Sequence, residues 1–193
     1  MNKANHGNDD TNYKNNLDTV KNNVEADCDN ELDSGKMTPE TSAKEDTILV
    51  PYNDSYKQKV FDFTDKCFDE LGKKFDPSGR HYFYNDIEKS FEAFFCMTDE
   101  EKVIGTVALK KIDAYTVELK ALYLDEAYRG QHLGSRLIRA AIDEAKARGF
   151  KSMVLDSMSQ YKEALRLYEK CGFKNTERFN DNAYADVFMR LEF

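Results

Sequence analysis

A chain of 193 residues with 28 basic and 36 acidic side chains, net charge −8, is too short for a multidomain assembly and has no basic excess to hold a nucleic-acid backbone. No apolar run approaches the roughly 18 residues that span a bilayer. The start, Met1-Asn2-Lys3-Ala4-Asn5, lacks the apolar segment and cleavage site of a secretory signal, so a cytoplasmic protein without a membrane partner is expected. Cys28, Cys67, Cys96 and Cys171 are scattered, without a CxxC pair or a neighbouring histidine, and read as reduced thiols with no metal site.

Residues 1–46 hold eleven acids and five lysines, a balance of −6 that leaves −2 for the other 147 residues. With nine asparagines and a few isolated aliphatics, this Asn/Asp/Lys-rich stretch cannot bury enough apolar surface to offset chain entropy, so it reads as a disordered leader. The fold is expected over 47–193. Ile48-Leu49-Val50 forms a first strand closed by Pro51. Ser55 then opens a helix carrying Val60, Phe61, Phe63, Cys67, Phe68 and Leu71 at spacings of three and four, ended by Gly72. Phe75 to Asn85 reads as a loop, and Asp86 opens a short second helix.

Phe94–Thr98, Val103–Lys110 and Thr116–Leu124 are strand-like runs separated by hairpin-length turns, an antiparallel meander. The period then changes. Leu137, Ile138, Ala141, Ile142 and Ala145 line one helical face, with Gly149 at its C-cap. Met153–Leu155 is a buried strand, and Tyr161, Ala164, Leu165 and Tyr168 form a second amphipathic face stopped by Gly172. Phe173–Glu177 and Val187–Glu192 complete the strands. This order predicts an α/β (α+β) mixed sheet with helices on both faces.

GxSxG, HExxH, GxxxxGK[ST] and GxGxxG are all absent. Instead, Leu122 to Ser135 runs from a strand through a loop into a helix. A helix N-terminus aims unpaired N–H groups and its positive dipole end at one point, Gly130 and Gly134 allow close approach, and Arg129 adds charge, which outlines an anion site.

Arg129-Gly130-Gln131-His132-Leu133-Gly134 resembles the pyrophosphate loop of the GNAT superfamily of N-acetyltransferases: Arg or Gln, two residues, Gly, one residue, Gly or Ala. His132 stands where that pattern has its first glycine. Ala164-Leu165-Arg166-Leu167-Tyr168-Glu169-Lys170-Cys171-Gly172-Phe173 resembles the Ala-x-x-Leu-Tyr-x-x-x-Gly-Phe signature of the same family. The resemblance implies a mostly antiparallel central sheet of about six to seven strands and acetyl-CoA as co-substrate. It further implies that Leu122, Tyr123 and Leu124 pair through their backbone with the pantetheine arm. The diphosphate would lie on the amides of Arg129, Gly130, Gln131, His132, Leu133, Gly134 and Ser135.

Direct attack of an amine on a thioester needs a base, an oxyanion donor and an acid for the leaving thiolate. The resemblance implies that Tyr168 is the acid and Glu118 the base. The competing readings are a packed helix tyrosine and a strand glutamate paired with Lys120 or Lys111. Asp156 reads as a cap of the turn that follows it or as a contact for a cationic acceptor. The acceptor, a primary amine of a small molecule or peptide, is expected among Phe75, His81, Tyr82, Tyr84, Tyr184 and the Asn180-Asp181-Asn182 turn, with His81 on the surface. The chain is expected as a monomer or homodimer. The alternative is a catalytically degenerate acyl-CoA-binding sensor or interaction module.

Overall fold

The structure is a computed structural model and describes residues 47–193. The leader expected over 1–46 lies outside the described residues.

The apolar runs become strands because each alternates between two cores. β1 (Thr47–Pro51), β2 (Ala93–Asp99), β3 (Lys102–Lys111) and β4 (Thr116–Leu124) form the antiparallel meander. The rest of the sheet is β5 (Ser152–Ser157), β6 (Lys174–Asn175) and β7 (Val187–Glu192), in the order β1-β2-β3-β4-β5-β7-β6. Only the β4–β5 pair is parallel.

One sheet face is covered by α1 (Lys57–Glu70) and the short α2 (Ile87–Ser90). Val60, Phe63, Cys67 and Phe68 of α1 pack there with Phe94, Cys96, Val103 and Ala108. The other face is covered by α3 (Leu133–Ala147) and α4 (Lys162–Lys170), with Leu137, Ile138, Ala141 and Ala145 meeting Met97, Val107, Leu109, Val117, Leu119, Met153 and Leu155. Gly105 of β3 allows the closest approach: a Cβ there would stand 3.0 Å from the Leu137 side chain, so α3 packs directly on the strand.

α1 begins one residue later than expected, with Tyr56 rather than Ser55 at its N-cap. The Asn53 side chain accepts the Ser55 N–H at 3.0 Å and winds Asp54–Tyr56 into a 3-10 turn, so Ser55 does not cap the α-helix. At the other end Gly72, φ +63°, lets the Lys73 N–H reach the Phe68 carbonyl at 2.8 Å, the usual glycine helix stop. Asp86 caps α2 as expected, accepting the Lys89 N–H, but the preceding Tyr82–Asp86 is a 3-10 turn rather than open loop. The strand expected over Phe173–Glu177 shrinks to Lys174–Asn175. Phe173 N–H is committed to the Tyr168 carbonyl at the end of α4, and beyond Thr176 the Arg178 guanidinium donates to the carbonyls of Asn182 and Ala185, turning the chain away from the sheet.

Candidate functional site

β4 changes character along its length. Thr116, Val117 and Glu118 pair with Ser152, Met153 and Val154 of β5, and no pairing follows. Beyond Glu118, β4 stays on β3, with Tyr123 opposite Thr106 and Leu124 opposite Gly105, while β5 stays on β7 through Ser157. The two parallel strands therefore diverge, opening a split whose apex is at Glu118.

A bulge marks the point of divergence. Lys120 lies opposite Ala108 and Tyr123 opposite Thr106, so two β4 residues face the single Val107. Ala121 takes φ +50°, and its carbonyl accepts the Thr106 hydroxyl at 2.7 Å. The extra residue re-phases the strand: Val117 and Leu119, then Leu122 and Leu124, pack toward α3 and α4, while Ala121 and Tyr123 pack toward α1. Tyr123 lies 5.6 Å from the Phe68 ring. The residues resembling the pantetheine strand thus line the open side of the split.

At the open end, the loop resembling a pyrophosphate site turns into α3. The Asp125 side chain accepts the Ala127 N–H at 3.0 Å and pairs with Lys66 of α1 at 2.6 Å. Arg129 projects with half its side chain exposed, 3.7 Å from Glu70. Gly130, φ +77°, has open space where a Cβ would stand, and Gly134 packs on Leu167 of α4, which a Cβ would meet at 3.0 Å. His132 stands at the N-cap with φ +59° and ψ +5°, the left-handed conformation that glycine adopts without strain and that costs other residues about 1–2 kcal/mol. Its ring is exposed and does not cap the helix, and no acidic residue occupies the first turn. The N–H groups of that turn have no intrahelical partner, so the loop fits an anionic group. Leu133, 1% exposed, anchors the first turn, while Gln131 and Ser135 stay part-exposed.

The apex carries a polar cluster. By strand alternation Glu118, Lys120 and Asp156 share the α1 face of the sheet. Glu118, only 6% exposed, accepts from Lys120 Nζ at 2.7 Å and from Asn180 at 3.1 Å. The same lysine reaches Asp156 at 3.3 Å across the split, and Asp156 also accepts from Asn180 at 2.6 Å and Asn182 at 3.2 Å. Burial alone would raise the Asp156 pKa. The Lys120 charge and the two asparagines override it and hold the carboxyl below its ordinary value. Asp156 is therefore not the cap of its own turn; Asp186 does that, accepting from the backbone and hydroxyl of Ser159.

Tyr168 approaches from the opposite face. It is 8% exposed, packs 6.0 Å from Phe173, and its phenol is pushed up to about 12, first by burial and then by the Asp156 charge. Tyr161 accepts a hydrogen bond from Lys73 Nζ at 3.0 Å, linking the segment after α1 to the start of α4. Glu118 and Tyr168 thus lie on opposite faces of the sheet, with the Asp156 charge felt by the Tyr168 phenol.

The expected acceptor wall divides. Phe75 and Tyr84 are core residues. His81, expected on the surface, is buried: its ring stacks on Phe75, its Nδ1 accepts the Asp76 N–H at 2.9 Å, and burial lowers its pKa. Tyr82 and Tyr184 are exposed, with Arg80 over the Tyr184 ring. Sequence reasoning missed the bulge, although the slip from Val117 and Leu119 to Leu122 and Leu124 is its signal. It also missed the bridging position of Lys120. Among the described residues no helix is long and apolar enough to cross a membrane.

N-acetyltransferase 8B of Homo sapiens is 34% identical over 117 residues, 55% of this chain and 50% of that protein. The chain spans about half the length of the curated relatives it matches. An acetyltransferase from Streptococcus agalactiae shares the fold at TM-score 0.70 and 24% identity, over 77% of this chain and 99% of that one. A GNAT family acetyltransferase from Elizabethkingia anophelis, solved with acetyl-CoA bound, does so at 0.57 and 20%, over 78% and 100%. The Acetyltransferase (GNAT) family profile matches residues 57–173, from the start of α1 through the split, the anion loop and the end of α4. This chain belongs to the GNAT family of acetyltransferases.

Proposed function

We propose that the chain is an acetyl-CoA-dependent N-acetyltransferase whose acceptor is a primary amine of a small molecule or peptide. The observation that carries this reading is the parting of β4 from β5 beyond Glu118, in a strand that leads into the uncapped N-terminus of α3. Bound acetyl-CoA supplies an activated acyl thioester. Arg129 and the amides from Gly130 to Ser135 hold its diphosphate, because an uncapped helix start beside a half-exposed guanidinium favours a doubly charged group. Leu122, Tyr123 and Leu124 offer the backbone groups that β5 leaves unpaired, which orients the arm toward the apex.

Glu118 takes the proton of the incoming amine on the α1 face. It accepts N–H donors at 2.7 and 3.1 Å, and an amine that replaced one of them would meet the carboxylate directly. The amide of Leu122 or Tyr123, held beside the bulge, is the oxyanion donor. Tyr168, pushed up to about 12, stays protonated across the physiological range. Full transfer to a thiolate of ordinary pKa near 8.5 is uphill by several units, so Tyr168 acts as a hydrogen-bond donor to the leaving sulfur rather than as a strong acid.

Thermal unfolding of the full chain with and without saturating acetyl-CoA tests the site. At about 100 times Kd the ligand adds roughly 2.7 kcal/mol, several degrees for a domain this size. Thiol release with a panel of amines then tests turnover. Glu118→Gln and Tyr168→Phe should each lower kcat by about ten- to a hundredfold or more while preserving the thermal shift. Absence of a shift at millimolar acetyl-CoA would sink the reading. A shift without thiol release for any amine would favour an acyl-CoA-binding module.

A further inference from the structure

Lys120 occupies a distinctive position. It is the residue on the N-terminal side of the bulge, where β4 leaves β5, and its ammonium bridges the apex of the split between Glu118 at 2.7 Å and Asp156 at 3.3 Å. It stands on the α1 face, the side from which an amine would approach Glu118, opposite the face that holds Tyr168. About a third of its side chain remains exposed, so the amine has room to move. A primary amine hydrogen-bonded to the candidate base, at the apex toward which the acyl arm would be directed, has the arrangement required of an acceptor.

We propose that Lys120 is itself a modification site, acetylated in cis by acetyl-CoA bound in the split; this rests on the transferase reading above. The Lys120 ammonium gives a proton to Glu118, and the freed Nζ attacks the thioester carbonyl. A C–N bond forms, the C–S bond breaks, and coenzyme A leaves as the thiolate, which takes up a proton. The net change is one amide, one free thiol and one proton released. The product lysine is neutral, so Glu118 and Asp156 lose the cation they share, and the acetamide remains on the acceptor side of the apex. Self-acetylation would therefore remodel the amine site.

The test incubates the full chain with trideuteroacetyl-CoA and maps the label by mass spectrometry after cleavage at acidic residues, with heat-unfolded chain as the control for chemical acylation. The expected result is a single acetyl group on Lys120. Its rate should not change when the protein is diluted tenfold, and it should fall at least tenfold in Glu118→Gln. Lys120→Arg should lose the label yet keep the thermal shift with acetyl-CoA. A second readout needs no acetyl-CoA: the purified acetylated chain and Lys120→Gln should both unfold at a lower temperature than the unmodified chain. Label spread over Lys110, Lys111 and other exposed lysines at the rate seen in unfolded chain would overturn the proposal. So would an unlabelled Lys120 in a chain that shows the thermal shift, and in that case the transferase reading stands. A chain with no thermal shift and no label overturns both.

Discussion

The two halves of β4 contrast sharply. From Thr116 to Leu119 the strand is buried and its first three residues pair with β5, whereas from Lys120 to Leu124 it is only half-buried and pairs with β3 alone. The apolar residues of both halves are similar, so hydrophobicity does not separate core from candidate site here. The difference is one extra residue at Ala121–Leu122. A bulge adds local twist and ends pairing, which converts a structural strand into a surface with unspent backbone hydrogen bonds.

If that contrast holds, truncation should cost more before the bulge than after it. Leu119→Ala removes a side chain that is 5% exposed among α3-facing core residues, and should lower unfolding free energy by about 2–4 kcal/mol in urea titrations. Leu124→Ala, half-buried on the far side, should cost roughly half as much or less. Equal losses would remove the distinction between the halves.

Lys120→Met comes next. A fully buried pair loses about 3–5 kcal/mol when one partner is removed, but this lysine is a third exposed, so roughly 1–2 kcal/mol is expected. The variant also has a pH signature. Asp156 has a depressed pKa in the fold, so its contribution to stability is present above its unfolded value and lost as pH falls through the folded value. Removing Lys120 raises the folded pKa, and the acid-unfolding midpoint should move to higher pH. An unchanged acid limb would mean that the ammonium does not hold Asp156.

Smaller effects sit at two of the left-handed positions. Ala121→Gly and His132→Gly each relieve a positive φ, and each should gain up to about 1 kcal/mol, against the entropy that glycine adds to the unfolded chain. The two should differ in ligand response. Ala121→Gly loosens the bulge beside the apex. His132→Gly restores the residue that the loop pattern carries, and the acetyl-CoA thermal shift should rise with the second more than with the first.

Much of the fold was legible because its signals are local. Thr116–Leu124 and Val187–Glu192 match the strands residue for residue, and the glycine stops at 72, 149 and 172 follow from positive φ. Ser55 was misread because a neighbouring asparagine competes for the same turn. The Phe173–Glu177 strand was overextended because helix capping and Arg178 claim its ends. In the candidate site, the turn of Arg129 to Ser135 into a helix was readable from its glycines and the helical period that follows. His81 and Asp156 were not, because burial and partners from distant segments decide whether a polar side chain caps, packs or pairs.

By itself, the sequence determined which segments form strands and helices and where glycines stop the helices, since these depend on periodicity and on backbone preferences of single residues. Only the tertiary structure decided that β4 parts from β5 at Glu118 and that Ala121 takes up the extra residue. It alone brought Lys120, Asp156 and Asn180 from three separate segments around one carboxylate, with Tyr168 packed on the other face of the sheet. Those outcomes rest on strand register and on long-range polar satisfaction, which the geometry of the whole sheet imposes and no local pattern encodes.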